Sequence, residues 1–245
     1  MTESTGGPPG APSPLVARIP LTRRMILDEA ITAIDQEGLS TLTMRSLGAR
    51  LGVEAMALYR YVNGREDLLE GVVDTLVDGI RVPPDTVIGP ADGWQAYLQW
   101  LAHAVRQVAL DHPAIFPLVA TRHPATPWLR PPLRSLRIVD EFLDALIARG
   151  FSDTQAVEAY RVFTSFLLGH LLLEASAAGA ETSPVEEPLD EGGASVPTRA
   201  ATEVDVEDYP TLARTAPLLA QDHTREEFET ALEALLDRLD LALSQ

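Results

Sequence analysis

Four arginines and two tyrosines crowd into residues 43–65, TMRSLGARLGVEAMALYRYVNGR. Arg45, Arg50, Arg60 and Arg65 carry planar donor forks that suit a phosphate or the acceptor edge of guanine. Tyr59 and Tyr61 add hydroxyls that can reach a nucleic-acid backbone, and Met56 offers an apolar contact for a base edge. Thr43 stands where a helix N-terminus favours an anion, with Ser46 in the same first turn. This is the chemistry of polyanion recognition. A plain helical hairpin with a solvated basic face uses the same residue types, so composition alone leaves both readings open.

These side chains need two short helices to hold them. Thr43 can cap the first, Leu47 and Leu51 repeat at helical spacing, and Gly52 follows where a left-handed stop belongs. After a turn of about three residues, a second helix over 55–61 turns Leu58 and Val62 inward. Helix, short glycine-containing turn and second helix form the helix-turn-helix pattern, whose second helix enters the major groove. An earlier helix from the Thr22 cap to Glu37, striped by Ile26, Ala30, Ile31 and Ile34, packs behind the pair.

Residues 21–76 resemble the DNA-binding domain of TetR-family transcriptional repressors. The carriers are Glu37-Gly38, Leu42-Thr43-Met44-Arg45-Ser46-Leu47, Leu51-Gly52-Val53, Leu58-Tyr59-Arg60-Tyr61-Val62, the turn Asn63-Gly64-Arg65, and Glu66-Asp67-Leu68-Leu69. Glu54 and Ala55 depart from the family where a better capping residue is usual, and Tyr61 stands where many members have His or Phe. The resemblance implies an all-α chain with a three-helix DNA-binding head and a helical C-terminal domain for ligand binding and dimerisation. The corresponding ranges are a disordered tail over 1–19, a head over 20–65 and a body over 66–245, with a flexible acidic loop over 178–208.

The net charge of −17 looks wrong for a DNA binder. Its distribution answers the objection. Residues 22–65 hold six arginines against five acids, so the acidity belongs to the rest of the chain and should point away from a duplex. The chain has no cysteine, which excludes disulfides and cysteine-based zinc sites and fits a cytoplasmic protein. The N-terminal stretch is neither basic nor apolar, so no signal peptide is expected, and no apolar run approaches the roughly 20 residues of a membrane span.

Beyond the head, Glu66–Ile80 reads as a linking helix stopped by Val82-Pro83-Pro84, and Trp94–Leu110 as the next. Six prolines between Pro113 and Pro132 then forbid long helix and favour concavities. Helices follow over 133–149, with Leu136, Val139, Phe142, Leu143 and Leu146 inward, and over 154–178 behind an Asp153 cap. The latter is almost wholly apolar from Val162 to Leu173, which calls for a partner subunit to cover it. A short helix near 212–219 precedes a last one, for which Thr224-Arg225-Glu226-Glu227 suggests a capping box and Phe228, Leu232, Leu236 and Leu239 a packing stripe.

This half is similar, more weakly, to the C-terminal domain of the tetracycline-repressor branch, through Gly93-Trp94-Gln95, Arg149-Gly150-Phe151-Ser152, Ala156 and Leu168-Gly169-His170. That similarity implies a homodimer built by two C-terminal helices of each subunit. It also implies a pocket whose filling alters the spacing of the two heads. In that branch a His after the broken helix ligates drug-bound magnesium. Here residues 118–121 hold no His and His123 is only close, so neither metal nor cofactor is expected.

Trp100, His103, Gln107, Phe116, Trp128, Tyr160, Phe163, Phe166 and His170 could line a cavity for a flat hydrophobic effector. Each aromatic is as readily plain core, and either His a satisfied core histidine. No G-x-S-x-G, P-loop or G-x-G-x-x-G occurs, so the chain is not read as an enzyme. The expected function is a one-component DNA-binding regulator. It would be a repressor that leaves a palindromic operator when a small hydrophobic molecule binds. A helical dimeric protein-interaction adaptor, or a TetR-like regulator without an effector, are the alternatives.

Overall fold

A computed structural model describes residues 20–81, 93–121, 129, 135–180 and 208–243. The tail over 1–19, Val82-Pro83-Pro84, His123, Trp128, Leu133 and most of the acidic loop, 181–207, lie outside the described residues. The described residues form ten α-helices, one 3-10 turn and no strand.

The head begins with α1 (Arg23–Glu37), where Thr22 Oγ1 accepts the Met25 N–H at 3.2 Å. Gly38, at φ 86°, ends it by donating to Ile34 O. A 3-10 turn (Leu39–Thr41) leads into α2 (Met44–Arg50), α3 (Ala55–Leu58) and α4 (Arg65–Gly79). Ile26, Ile34, Leu47, Leu58 and Leu68 close into one core with no solvent exposure.

Helix α4 belongs to two cores. Its Leu68, Leu69 and Val72 pack in the head, whereas Val73, Val77 and its cap Ile80 pack in the body. A second tie runs beside it. Ile115 of the body is fully buried in the head core, and His112 Nδ1 sits 2.7 Å from Asp35 of α1.

The body contains α5 (Trp94–Asp111), α6 (Phe116–Thr121), α7 (Leu136–Ile147), α8 (Asp153–Ala177), α9 (Pro210–Leu219) and α10 (Thr224–Leu243). Helix α8 is its axis, touching α5, α6, α7 and α10. Aromatic edges lock it to its neighbours: Phe142 meets Tyr160 at 5.6 Å and Phe163 at 5.4 Å. Arg106 of α5 grips Glu174 of α8 by two bonds, 2.6 and 3.1 Å.

Several local expectations are corrected. Ser152, not Asp153, caps α8 in a reciprocal box with Gln155. Asp153 becomes the first helical residue, where its charge faces the positive helix end. No such box opens α10: the Thr224 hydroxyl donates instead to Asp222, at 2.8 Å. Leu136, expected inward, is 48% exposed because it opens α7 at the mouth of a cavity. Helix α3 is shorter than expected; the chain turns at Tyr59 so that Val62 can enter the core.

Helix α8 is also long and apolar enough to cross a membrane by length and composition, contrary to the expectation from run length. Protein covers much of it: Ala159, Phe163, Leu167 and Leu171 are buried against neighbouring helices.

Candidate nucleic-acid interface

Thr43 and Ser46 build the entry to α2. The Thr43 hydroxyl accepts the Ser46 N–H and Ser46 Oγ accepts the Thr43 N–H, each at 3.0 Å. Both hydroxyls therefore serve the cap first. At the far end Val53 N–H donates to Gly48 O at 2.9 Å, folding the turn over the middle of α2. Gly48 permits this contact. A Cβ added there would lie 2.9 Å from Val53 O and 3.2 Å from Ala55 N. The sequence carried a signal for it, since a glycine inside a seven-residue helix is costly unless a close approach requires it.

Leu58 and Val62 anchor the second helix, leaving Met56 74%, Tyr59 47% and Tyr61 37% exposed, with Arg60 exposed beside them. Glu54 makes no side-chain cap to α3, in keeping with the weak cap read from the sequence.

The four arginines divide. Arg50 is turned inward: Nε meets Glu29 and Nη1 meets Glu37 at 2.6 Å each, and Nη2 donates to Gln36 at 2.9 Å. The bond to Glu29 raises its pKa above the ordinary value. It clamps α2 to α1. Arg65 donates to Leu42 O at 3.3 Å and Leu39 O at 3.2 Å, holding the chain entering α2. That locks most of a guanidinium expected to hold phosphate. Arg45 and Arg60 are the head arginines that, among the described residues, make no ion pair or side-chain hydrogen bond. Both are exposed.

Asp67 fixes the turn that follows. It accepts the Asn63 N–H at 2.7 Å and pairs with Arg23 at 2.8 Å. The Asn63 N–H, then Arg23, hold its pKa below the ordinary 3.8. A carboxylate with a depressed folded pKa stabilises above its unfolded pKa, and that contribution fades as pH falls through the folded value. Asp67→Asn should therefore lower head stability at neutral pH by under about 1 kcal/mol, given its partial exposure. The gap from the parent protein should close in melts taken at pH values falling below 3.8.

In the body a cavity of about 640 Å³ opens between α7 and α8. Leu129, Leu136, Val139, Leu143, Val157 and Tyr160 give it apolar walls, and Arg137, Asp140 and Arg161 bring charge. Burial pushes the Tyr160 phenol up to about 12. Of the aromatics and histidines expected around an effector, Tyr160 lines this cavity. Phe116 and Phe163 are core. His103, Phe166 and His170 gather around Phe228 instead, within 6.1 Å between ring centres. Trp100 stacks on Tyr97, Gln107 donates to Asp111, and Trp128 lies outside the described residues. The charged lining residues went unforeseen. Their spacing was the available signal: 136, 139, 140 and 143 share one face of α7, and 157, 160 and 161 one face of α8. No group of three or more acidic or histidine side chains suited to a metal occurs among the described residues.

Comparison with known proteins agrees with this architecture. Residues 26–72 match the model for bacterial regulatory proteins of the tetR family, and residues 89–241 match the tetracyclin repressor-like C-terminal domain. An HTH-type transcriptional regulator of Saccharopolyspora erythraea is 28% identical over 197 residues, 80% of this chain and 75% of that protein. The HTH-type transcriptional repressor DrrR1 of Streptomyces coeruleorubidus is 29% identical over 153 residues, 61% of this chain and 52% of that protein. A crystal structure of a possible TetR family transcriptional regulator from Streptomyces coelicolor superposes with a TM-score of 0.66 at 30% identity, covering 90% of this chain and 99% of that one. ActR of the same organism, crystallised with actinorhodin, shares the fold at TM-score 0.63 and 22% identity, over 90% of this chain and 95% of its own. The chain is not an enzyme; with its helix-turn-helix head and helical C-terminal domain, it belongs to the TetR family of transcriptional regulators.

Proposed function

We propose that the protein is a homodimeric repressor that releases a palindromic operator when a small, largely apolar molecule enters the α7–α8 cavity. The observation that carries the reading is the division of the head arginines. Arg50 and Arg65 hold the fold, whereas Arg45 on α2 and Arg60 in the turn after α3 make no ion pair or side-chain hydrogen bond among the described residues. Arg45 makes a base contact, with Met56 and Arg60 as further readers. Tyr59 and Tyr61 hold phosphates, and Thr43 and Ser46 orient the N-terminus of α2 towards one. The head spans 20–65 and the body 66–245.

Exposed apolar side chains on the C-terminal helices support pairing: Val162 and Leu173 on α8, and Leu241 on α10. Dimerisation there would cover them and set two heads at half-site spacing. ActR, a structural neighbour, was crystallised with a small molecule, which favours a similar use of this cavity. The setting is the cytoplasm, where the DNA is.

Selection of bound duplexes from a random pool tests the reading and reports half-site spacing. A palindrome is expected; recovery of no sequence, with no salt-dependent binding, would instead favour a protein-interaction adaptor. On the selected duplex, Arg45→Ala should cost roughly 1–3 kcal/mol and relax preference at one base position. Anisotropy titrations against single-base variants read this directly. An unchanged preference would remove Arg45 from the base contacts.

A further inference from the structure

We propose that the cavity selects an apolar ligand bearing an acidic group, with Arg161 and Arg137 as its anchors, and that Arg137 exchanges the C-terminal carbonyl of α4 for that group. The inference rests on the cavity being the ligand site.

Arg137 faces in two directions. It lines the cavity from the first turn of α7. Its Nη2 also donates to Ile80 O at 2.8 Å, while Nη1 meets both carboxylate oxygens of Glu141 at 3.0 Å. Ile80 is the cap of α4, and the last carbonyls of a helix have no partner within it. One guanidinium thus joins the cavity wall to the helix whose other end lies in the head core.

Arg161, on the α8 wall, makes no ion pair or side-chain hydrogen bond among the described residues. Asp140 is the opposing charge on the wall, and Glu141 is already engaged by Arg137. A ligand with an apolar body and one carboxylate or sulfonate would satisfy Arg161 outright. It would also compete for Arg137, because a charged acceptor bonds a guanidinium more strongly than a neutral carbonyl does. A state in which Ile80 O has been released binds such a ligand better, and that difference in affinity is what shifts the population.

Two fluorescent probes of similar size test this on the full chain: anilinonaphthalenesulfonate, an anion, and phenylnaphthylamine, which is uncharged. The sulfonate should bind more tightly. Arg161→Gln and Arg137→Gln should each weaken it about tenfold, as loss of a charge-assisted hydrogen bond does. The uncharged probe should stay within about twofold, which also reports an intact fold. Glu141→Gln leaves Arg137 in place and removes its competitor, so it should tighten the sulfonate several-fold.

Val157→Trp fills the cavity and should abolish both probes. If both still bind to that variant, the cavity is not the ligand site and the reading beneath the proposal falls. If both are lost there, yet the arginine variants weaken the two probes equally or Glu141→Gln changes nothing, the cavity stands and the anion assignment is overturned.

Discussion

Gly48→Ala is expected to abolish specific operator binding while leaving the body folded. The added Cβ meets backbone, at 2.9 Å from Val53 O and 3.2 and 3.3 Å from N and Cα of Ala55, so no side chain can rotate away. The turn must lift off α2, and the 2.9 Å bond from Val53 N–H to Gly48 O lengthens or breaks. Overpacking of this kind costs about 1–3 kcal/mol in stability. The larger effect is on alignment. Arg45 sits on one side of the displaced turn, and Met56 and Arg60 on the other. Losing the register between them forfeits at least two base contacts, each worth about 1–3 kcal/mol, so affinity should fall on the order of 100-fold or more. Anisotropy on the selected duplex measures the loss, and circular dichroism checks that helix content persists. Parent-like affinity in this variant would show that the close approach is not what positions α3.

Glu174→Gln is expected to destabilise the body. Glu174 and Arg106 are each only 12% exposed, joined by two bonds, and the guanidinium also lies 4.9 Å from the centre of the Phe228 ring. Removing the negative partner leaves a part-buried cation without its charged acceptor, which costs about 1.5–3 kcal/mol. For a chain of this size that lowers the melting temperature by about 3–12 °C. Arg106→Met with Glu174→Leu should recover most of the loss, because the penalty arises from the stranded charge rather than from the missing bond. Melting curves of the three variants decide it. A Glu174→Gln melt within a degree or two of the parent would mean that water reaches the pair.

The helices of the head were legible because each carries its own start and stop. Thr22 and Thr43 accept the bonds expected of them, and Gly38 and Gly52 take the positive φ their places require. The role of each arginine was not legible. Arg50 and Arg65 resemble Arg45 and Arg60 in type and spacing. Only their distances to Glu29, Glu37, Leu39 and Leu42 show that they are structural, and those contacts span 13 to 26 residues.

The cavity was hidden for a similar reason. Aromatic residues near prolines drew attention, yet most of them fill the core or surround Phe228. The charged wall comes from α7 and α8, whose facing is set by packing around Phe142, which local sequence does not state.

Ile115 gives the head a debt to a segment far along the chain. Its side chain completes the hydrophobic interior around α1 and α4, and the neighbouring His112 is fastened to Asp35. An excised N-terminal fragment would close around a hole where that isoleucine belongs. Its DNA affinity would then report a damaged miniature, not the reading element of the whole molecule.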